Sequence, residues 1–223
     1  MKTLFEKFDI EPNDKQLYEI AFTHSSYGTK QDLKYNYERL EFLGDSVLNM
    51  IVSEYLYKKY PNFEEGNLTK IRANYVCQSA LIFYSSEMGL NKYLKVDFDE
   101  ILPNEIVSIS ADIFESFLGA IFLDQGFKFA KRHISKIIFK YIDEKKIFFY
   151  DYKSHIKEYA DHNELDIDYK IQEESGAPHD KTFTIGIYIN ETMYGVGVGK
   201  NKKDAEQEAA CEAIKKLGID DFQ

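Results

Sequence analysis

The chain has 223 residues, 44% of them hydrophobic and 15% aromatic, which supports a packed core and excludes a wholly disordered chain. At roughly 150 residues per domain this length makes one large domain or two small ones. The net charge of −10 taken alone speaks against a nucleic-acid partner. Net charge tests that weakly, because phosphates respond to local patches and carboxylates that hold cations still count as negative. The imbalance is concentrated late in the chain: residues 1–150 carry 19 Lys and Arg against 22 Asp and Glu, and residues 151–223 carry 9 against 16.

The opening MKTLFEKFDIEPND turns acidic by Glu6 and has no apolar signal region. No stretch reads as the ~18–20 apolar residues of a membrane helix, so no membrane partner is expected. Cys77 and Cys211 are too far apart in sequence for a metal-ligand pair, and they make no disulfide framework. A reducing cytoplasm is the expected location.

The first ~145 residues read mostly as helix, with apolar residues at three- and four-residue spacing. Breaks are expected near Pro12, Gly28, Pro61–Gly66, Gly89 and Pro103. Within NYERLEFLGDSVLNMIV (36–52), Glu38, Glu41 and Asp45 share one helix face, and Leu40, Leu43, Val47 and Ile51 form the opposite stripe. Such an acidic face is either a solvated stripe or a cation site. Phe42 lies beside the carboxylates, away from the core stripe; it is either an ordinary exposed apolar residue or a contact to a second copy of the chain.

PNFEEGNLT (61–69) presents Glu64 and Glu65 just before Gly66, as from a turn. Cys77, between Val76 and Leu81, reads as helical core. SISADIFESFLGAIFLDQG (108–126) is apolar on nearly every side except at Asp112 and Glu115, with Gly119 continuing their face. Carboxylates in a buried helix are costly unless paired or cation-bound, and this helix has no Lys or Arg of its own. Ion pairs with distant basic residues are the bland alternative. Several carboxylates with few histidines suit Mg²⁺ or Mn²⁺ rather than zinc, and such ions can activate water against a phosphodiester.

The texture changes after about Asp151. Residues 152–162 read as a helix, and DIDYKIQEE (166–174), TFTIGIYI (182–189) and TMYGVGVG (192–199) alternate as strands. Asn190–Glu191 is a tight hairpin turn, and a last helix runs from Lys202 to about Leu217, capped by Asn201. Lys200, Lys202 and Lys203 crowd that helix start, an arrangement that suits backbone phosphate or a plain lysine-rich surface. SGAPHD (175–180) is a polar loop with His179 at its tip. The fold class is thus an all-α domain over 1–145, a linker over 146–151, and a small α+β domain of order α-β-β-β-α over 152–221.

These motifs resemble ribonuclease III. ERLEFLGDSVL (38–48) matches the family's signature, preceded here by Tyr37 where Asn is usual. ADIFESFLGA (111–120) resembles its second acidic motif, with Ser116 where Ala is usual, and FTHSSY (22–27) resembles a third segment. Gly176, Pro178, His179 and GVGKNKKDAEQEAA (197–210) resemble a double-stranded RNA-binding domain. The resemblance covers almost the whole chain in the family's domain order.

It implies that Glu41, Asp45, Asp112 and Glu115 bind metal and that Asp45, Glu115, Glu38 and Glu65 serve catalysis. It implies Mg²⁺ as cofactor, with Mn²⁺ able to substitute, and no small-molecule cofactor. It implies a homodimer packed through Phe42, and RNA contacts from His179, Lys200, Asn201, Lys202, Lys203 and Lys157. The implied reaction is hydrolysis of duplex RNA to 5′-phosphate and 3′-hydroxyl ends, in ribosomal precursors and other structured transcripts. Asp161 would repel phosphate where the family has a groove contact, and the 95–108 loop lacks the usual basic character. A non-catalytic duplex-RNA-binding protein and a small-molecule phosphohydrolase are the rival readings.

Overall fold

The computed structural model describes residues 1–177 and 181–219. The chain divides into two compact units, Met1–Phe149 and a second that begins at Tyr150.

The first unit is helical. Short helices α1 (Lys2–Phe8), α2 (Lys15–Ala21) and α3 (Ser25–Lys30) lead into α4 (Glu38–Lys59). Then come α5 (Glu65–Val76), α6 (Gln78–Met88), a 3-10 turn (Leu90–Tyr93), α7 (Pro103–Gln125) and α8 (Phe127–Asp143). One expected break is placed differently: Gly28 sits inside α3. Pro103 lies at the expected break and begins α7, where its missing N–H costs nothing. The turn between α5 and α6 falls at Cys77, whose extended backbone interrupts an otherwise continuous helical pattern. Cys77 is therefore half-buried at a corner, its Sγ donating to the Asn74 carbonyl, and is neither helical nor core.

α7 runs through the centre. Ile113, Phe114, Phe117, Leu118 and Ile121 are buried, and Phe117 packs on Tyr18, Phe22 and Phe8. Ser116 is buried too, but its hydroxyl donates to the Ala21 carbonyl at 2.6 Å, so this polar residue is satisfied. The span Glu105–Gln125, with mean hydropathy 1.8, is the single helix among the described residues long and apolar enough to cross a membrane. This corrects the sequence expectation that no such stretch exists. The physical reason for its composition is its place at the centre, since 67% of that window is buried within the protein.

Asn74 ties down the end of this unit. Its Nδ2 donates to the Lys146 carbonyl, and its Oδ1 accepts the N–H groups of Phe148 and Phe149. Much of the stretch expected as linker is thus bonded to the helical unit.

The second unit has the expected order. Helix α9 (Tyr152–His162) precedes β1 (Ile167–Ser175), β2 (Thr182–Ile189), β3 (Thr192–Gly199) and α10 (Lys202–Leu217). The sheet is antiparallel in the order β1-β2-β3. Asn190 and Glu191 both have positive φ, which turns the β2–β3 hairpin with the twist the strands need. Gly197 lets α10 close on β3, because a Cβ there would stand 2.1 Å from the Ala205 carbonyl oxygen. Glu212 and Glu208 of α10 accept the N–H groups of Val196 and Val198, so the edge strand β3 is blunted by side chains.

Candidate active site

Helices α4 and α7 meet at two glycines. A Cβ on Gly44 would lie 1.8 Å from the Glu115 carbonyl oxygen, and one on Gly119 would lie 2.2 Å from that of Leu40. The two backbones are therefore in contact. Asp112 and Glu115 stand two turns and one turn before Gly119, and Glu41 and Asp45 bracket Gly44, so the crossing brings four carboxylates together. Leu40, Val47, Leu48 and Ile51 are buried beneath them.

The gathering shows in the electrostatics. Burial, then Asp112, Glu38 and Asp45, push the Glu41 carboxyl up to about 7. Burial, then Asp45, Glu41 and Asp112, push Glu115 up to about 8. Burial also raises Asp112, against the hydrogen bond from Tyr37 and the pull of His24. The charges that bear on Glu41 and Glu115 are all of the same sign, so the bland reading of distant ion pairs does not describe them. Asp45 is exposed and accepts from Asn49 Nδ2 at 2.7 Å. Among the described residues, no three Asp, Glu, His or Cys side chains close on a point tightly enough to enclose an ion unaided.

These shifts predict a pH-dependent stability. An acid raised on folding keeps a proton that the unfolded chain has lost, so its stabilisation is present below about pH 4.5 and is lost as pH rises through its folded value. The window for Glu41 and Glu115 runs from 4.5 to about 7 and about 8. His24, lowered chiefly by burial, acts in the opposite sense but only below its ordinary value of 6.5. The carboxyls held low, such as Glu54 at about 2, titrate below the window. With EDTA present, the melting temperature should fall by roughly 5 °C between pH 6.5 and 8.5, from a loss on the order of 2 kcal/mol. A flat or rising melting temperature would contradict the crowding of these acids.

Not every expected site residue joins the group. Glu38, exposed at the start of α4, does, since it bears on Glu41. Glu65 is the first residue of α5, not a turn residue, and accepts from Thr69 Oγ1 at 2.9 Å. It is not among the charges that shift Glu41, Asp112 or Glu115. Phe42 is 79% exposed. In the second unit, Lys157 is exposed on α9, and Lys200, Asn201, Lys202 and Lys203 are exposed at the start of α10. Asn201 caps that helix by accepting the Asp204 N–H at 3.0 Å. Lys202 Nζ lies 5.8 Å from the Phe183 ring centroid. His179 lies outside the described residues.

Sequence reasoning missed two parts of the site. Tyr37 donates its hydroxyl to Asp112 Oδ2 at 2.9 Å, and His24 packs on the Tyr37 ring with its own Nδ1 held by Ser26. Gly44 was legible only as part of a motif. A glycine on each of two acid-bearing helices is the signal that could have shown the crossing.

A family model described as ribonuclease-III-like matches residues 14–142, and one for the double-stranded RNA binding motif matches residues 152–217. Ribonuclease 3 of Bacillus cereus strain G9842 is 39% identical over 222 residues, covering 97% of this chain and 91% of that protein. Ribonuclease 3 of Bacillus anthracis is similar to the same degree over the same shares. The nuclease domain of ribonuclease III from Campylobacter jejuni, in which a region involved in dimer formation is flexible, superposes with a TM-score of 0.57. It is 35% identical, covering 62% of this chain and 96% of that one.

A helical nuclease domain with an acid cluster, followed by a duplex-RNA-binding module, defines an endoribonuclease of double-stranded RNA. The chain belongs to the ribonuclease III family. Enzymes of this family depend on metal.

Proposed function

We propose that Glu41, Asp45, Asp112 and Glu115 hold Mg²⁺, with Mn²⁺ able to substitute, and that the products carry 5′-phosphate and 3′-hydroxyl ends. The observation that carries this reading is the like-charged crowd itself: Glu41 and Glu115 pushed to about 7 and about 8 by burial and by one another. Such a group is stabilised by a cation. All four ligands are hard oxygens, the set Mg²⁺ prefers. The ion keeps several waters and takes few protein ligands, which suits carboxylates that do not enclose an ion unaided.

Bound there, the metal supplies a water of lowered pKa and offsets charge on the phosphodiester. The chain's own part is placement. Asp45 on α4 and Glu115 on α7 would hold the metal from opposite helices, and the family pattern gives both a part in catalysis. Glu38, beside Glu41, and Glu65, at the start of α5, belong to the same catalytic valley by the family pattern.

Lys157, Lys200, Lys202 and Lys203 bind phosphate, Asn201 orders the helix start they surround, and His179 enters a groove. RNA duplexes offer a wide, shallow minor groove lined with 2′-hydroxyls, so such contacts read shape more than sequence. The working form is a homodimer. Phe42, exposed on α4, is its contact residue, and a cavity of about 580 Å³ lined in part by Leu17, Ile20, Leu40, Leu43 and Leu123 offers a seat for a partner's ring. Ribosomal RNA precursors and other structured transcripts in the cytoplasm are the targets.

The test is incubation of the full chain with a long, fully paired RNA, first with Mg²⁺ and then with EDTA, beside a single-stranded control. Shortening of the duplex alone, only with Mg²⁺ and with 5′-phosphate ends, is expected. Tight binding without cutting would overturn the reading in favour of a non-catalytic binder.

A further inference from the structure

We propose that Tyr37 is a positioning residue: through its hydroxyl it orients the Asp112 carboxylate of α7 against the acids of α4. The inference rests on the metal reading above and names a part that the four carboxylates do not supply themselves.

The geometry joins three pieces of the fold at one side chain. Tyr37 immediately precedes Glu38, so its backbone starts the helix that carries Glu38, Glu41 and Asp45. Its own N–H donates to the Thr23 carbonyl at 2.9 Å, which ties the start of α4 to the segment ahead of α3. Its ring packs beside His24, with centroids 5.6 Å apart, and only 5% of the residue is exposed. From that fixed base the hydroxyl reaches across to Asp112 Oδ2 at 2.9 Å.

A ring held on its flank and at its backbone cannot follow a carboxylate that turns. The bond therefore arrests rotation of the Asp112 carboxylate and fixes the direction of its other oxygen. Tyr84 provides the contrast. Its hydroxyl is also buried, in the aromatic centre of the unit, yet it has no hydrogen-bond partner among the described residues. Tyr37 is thus set apart by where its hydroxyl points, not by burial. Partners that orient ligating carboxylates govern metal affinity, and losing one costs about 10–100-fold in affinity or activity.

The experiment is a Mn²⁺ titration of the RNA-free full chain, followed by electron paramagnetic resonance, for the wild type, Tyr37→Phe and Tyr84→Phe. The titration reports site affinity and site number separately. For Tyr37→Phe the affinity should fall about tenfold with the number of sites unchanged, and Tyr84→Phe should match the wild type. In cleavage assays kcat should fall for Tyr37→Phe while KM for duplex RNA stays put. Unchanged Mn²⁺ affinity in Tyr37→Phe would overturn the proposal. So would a loss of sites at unchanged affinity, which marks a purely structural role. A wild type that binds no Mn²⁺ would instead overturn the metal reading, and this inference with it.

Discussion

Glu115→Gln should reduce cleavage of duplex RNA at least 10³-fold while leaving duplex binding within about twofold. The substitution is nearly isosteric and removes a charge from the most strongly perturbed acid of the group, held at about 8 by burial and by Asp45, Glu41 and Asp112. A drop of 10³ corresponds to about 4 kcal/mol of lost transition-state stabilisation, the scale expected when a metal site in a partly buried setting loses a charged ligand. Binding should survive because the lysines at the start of α10 lie in the other unit. Two assays on one preparation decide the matter: gel-shift affinity for an intact duplex in Ca²⁺ or EDTA, and single-turnover cleavage in Mg²⁺. Activity within tenfold of wild type would remove Glu115 from the site, and a matching loss of binding would give it a different role. The same variant should melt higher than wild type in EDTA at pH 8, because it deletes one of the charges that crowd the cluster.

How much of this could be read beforehand depends on whether a signal was local. The spans of α9, β2, β3 and α10 follow from alternation, helical spacing and the Asn201 cap, all contained within a few residues. The acidic faces of α4 and α7 were legible for the same reason, since spacing of three and four residues on a helix is a local property. What one face meets is not local. Asp112 finds Tyr37 from 75 residues away, and nothing in either segment specifies that partner. The corner at Cys77 contains neither Gly nor Pro, so composition did not reveal the break. The α7 stretch shows the ambiguity of hydrophobicity: the residues that make it a central core helix also give it the length and hydropathy of a membrane span. The start of α5 placed Glu65 on a helix because the turn at Pro61 ends sooner than its Gly66 suggested.

The least legible feature carries the largest stability prediction. Gly44→Ala should destabilise the helical unit by about 3 kcal/mol or more, lowering its melting temperature by roughly 10 °C. On propensity alone the change should help, because Ala is favoured over Gly in a helix interior by about 1 kcal/mol. The crossing reverses that sign. The new Cβ would stand 1.8 Å from the Glu115 carbonyl oxygen and 2.5 Å from its carbon, and both are backbone atoms that cannot rotate away. Relief requires α4 and α7 to separate, which also pulls Glu41 and Asp45 from Asp112 and Glu115, so activity should fall in the folded fraction as well. Gly66→Ala is the matched control: among the described residues nothing beyond its own stretch of helix lies within 4 Å of its Cβ position near the start of α5, so the same substitution should be neutral or mildly stabilising there. Thermal melts of the two variants side by side test the argument. If Gly44→Ala melts with the wild type, the helices have room to spare, and the close crossing does not set the spacing of the acids.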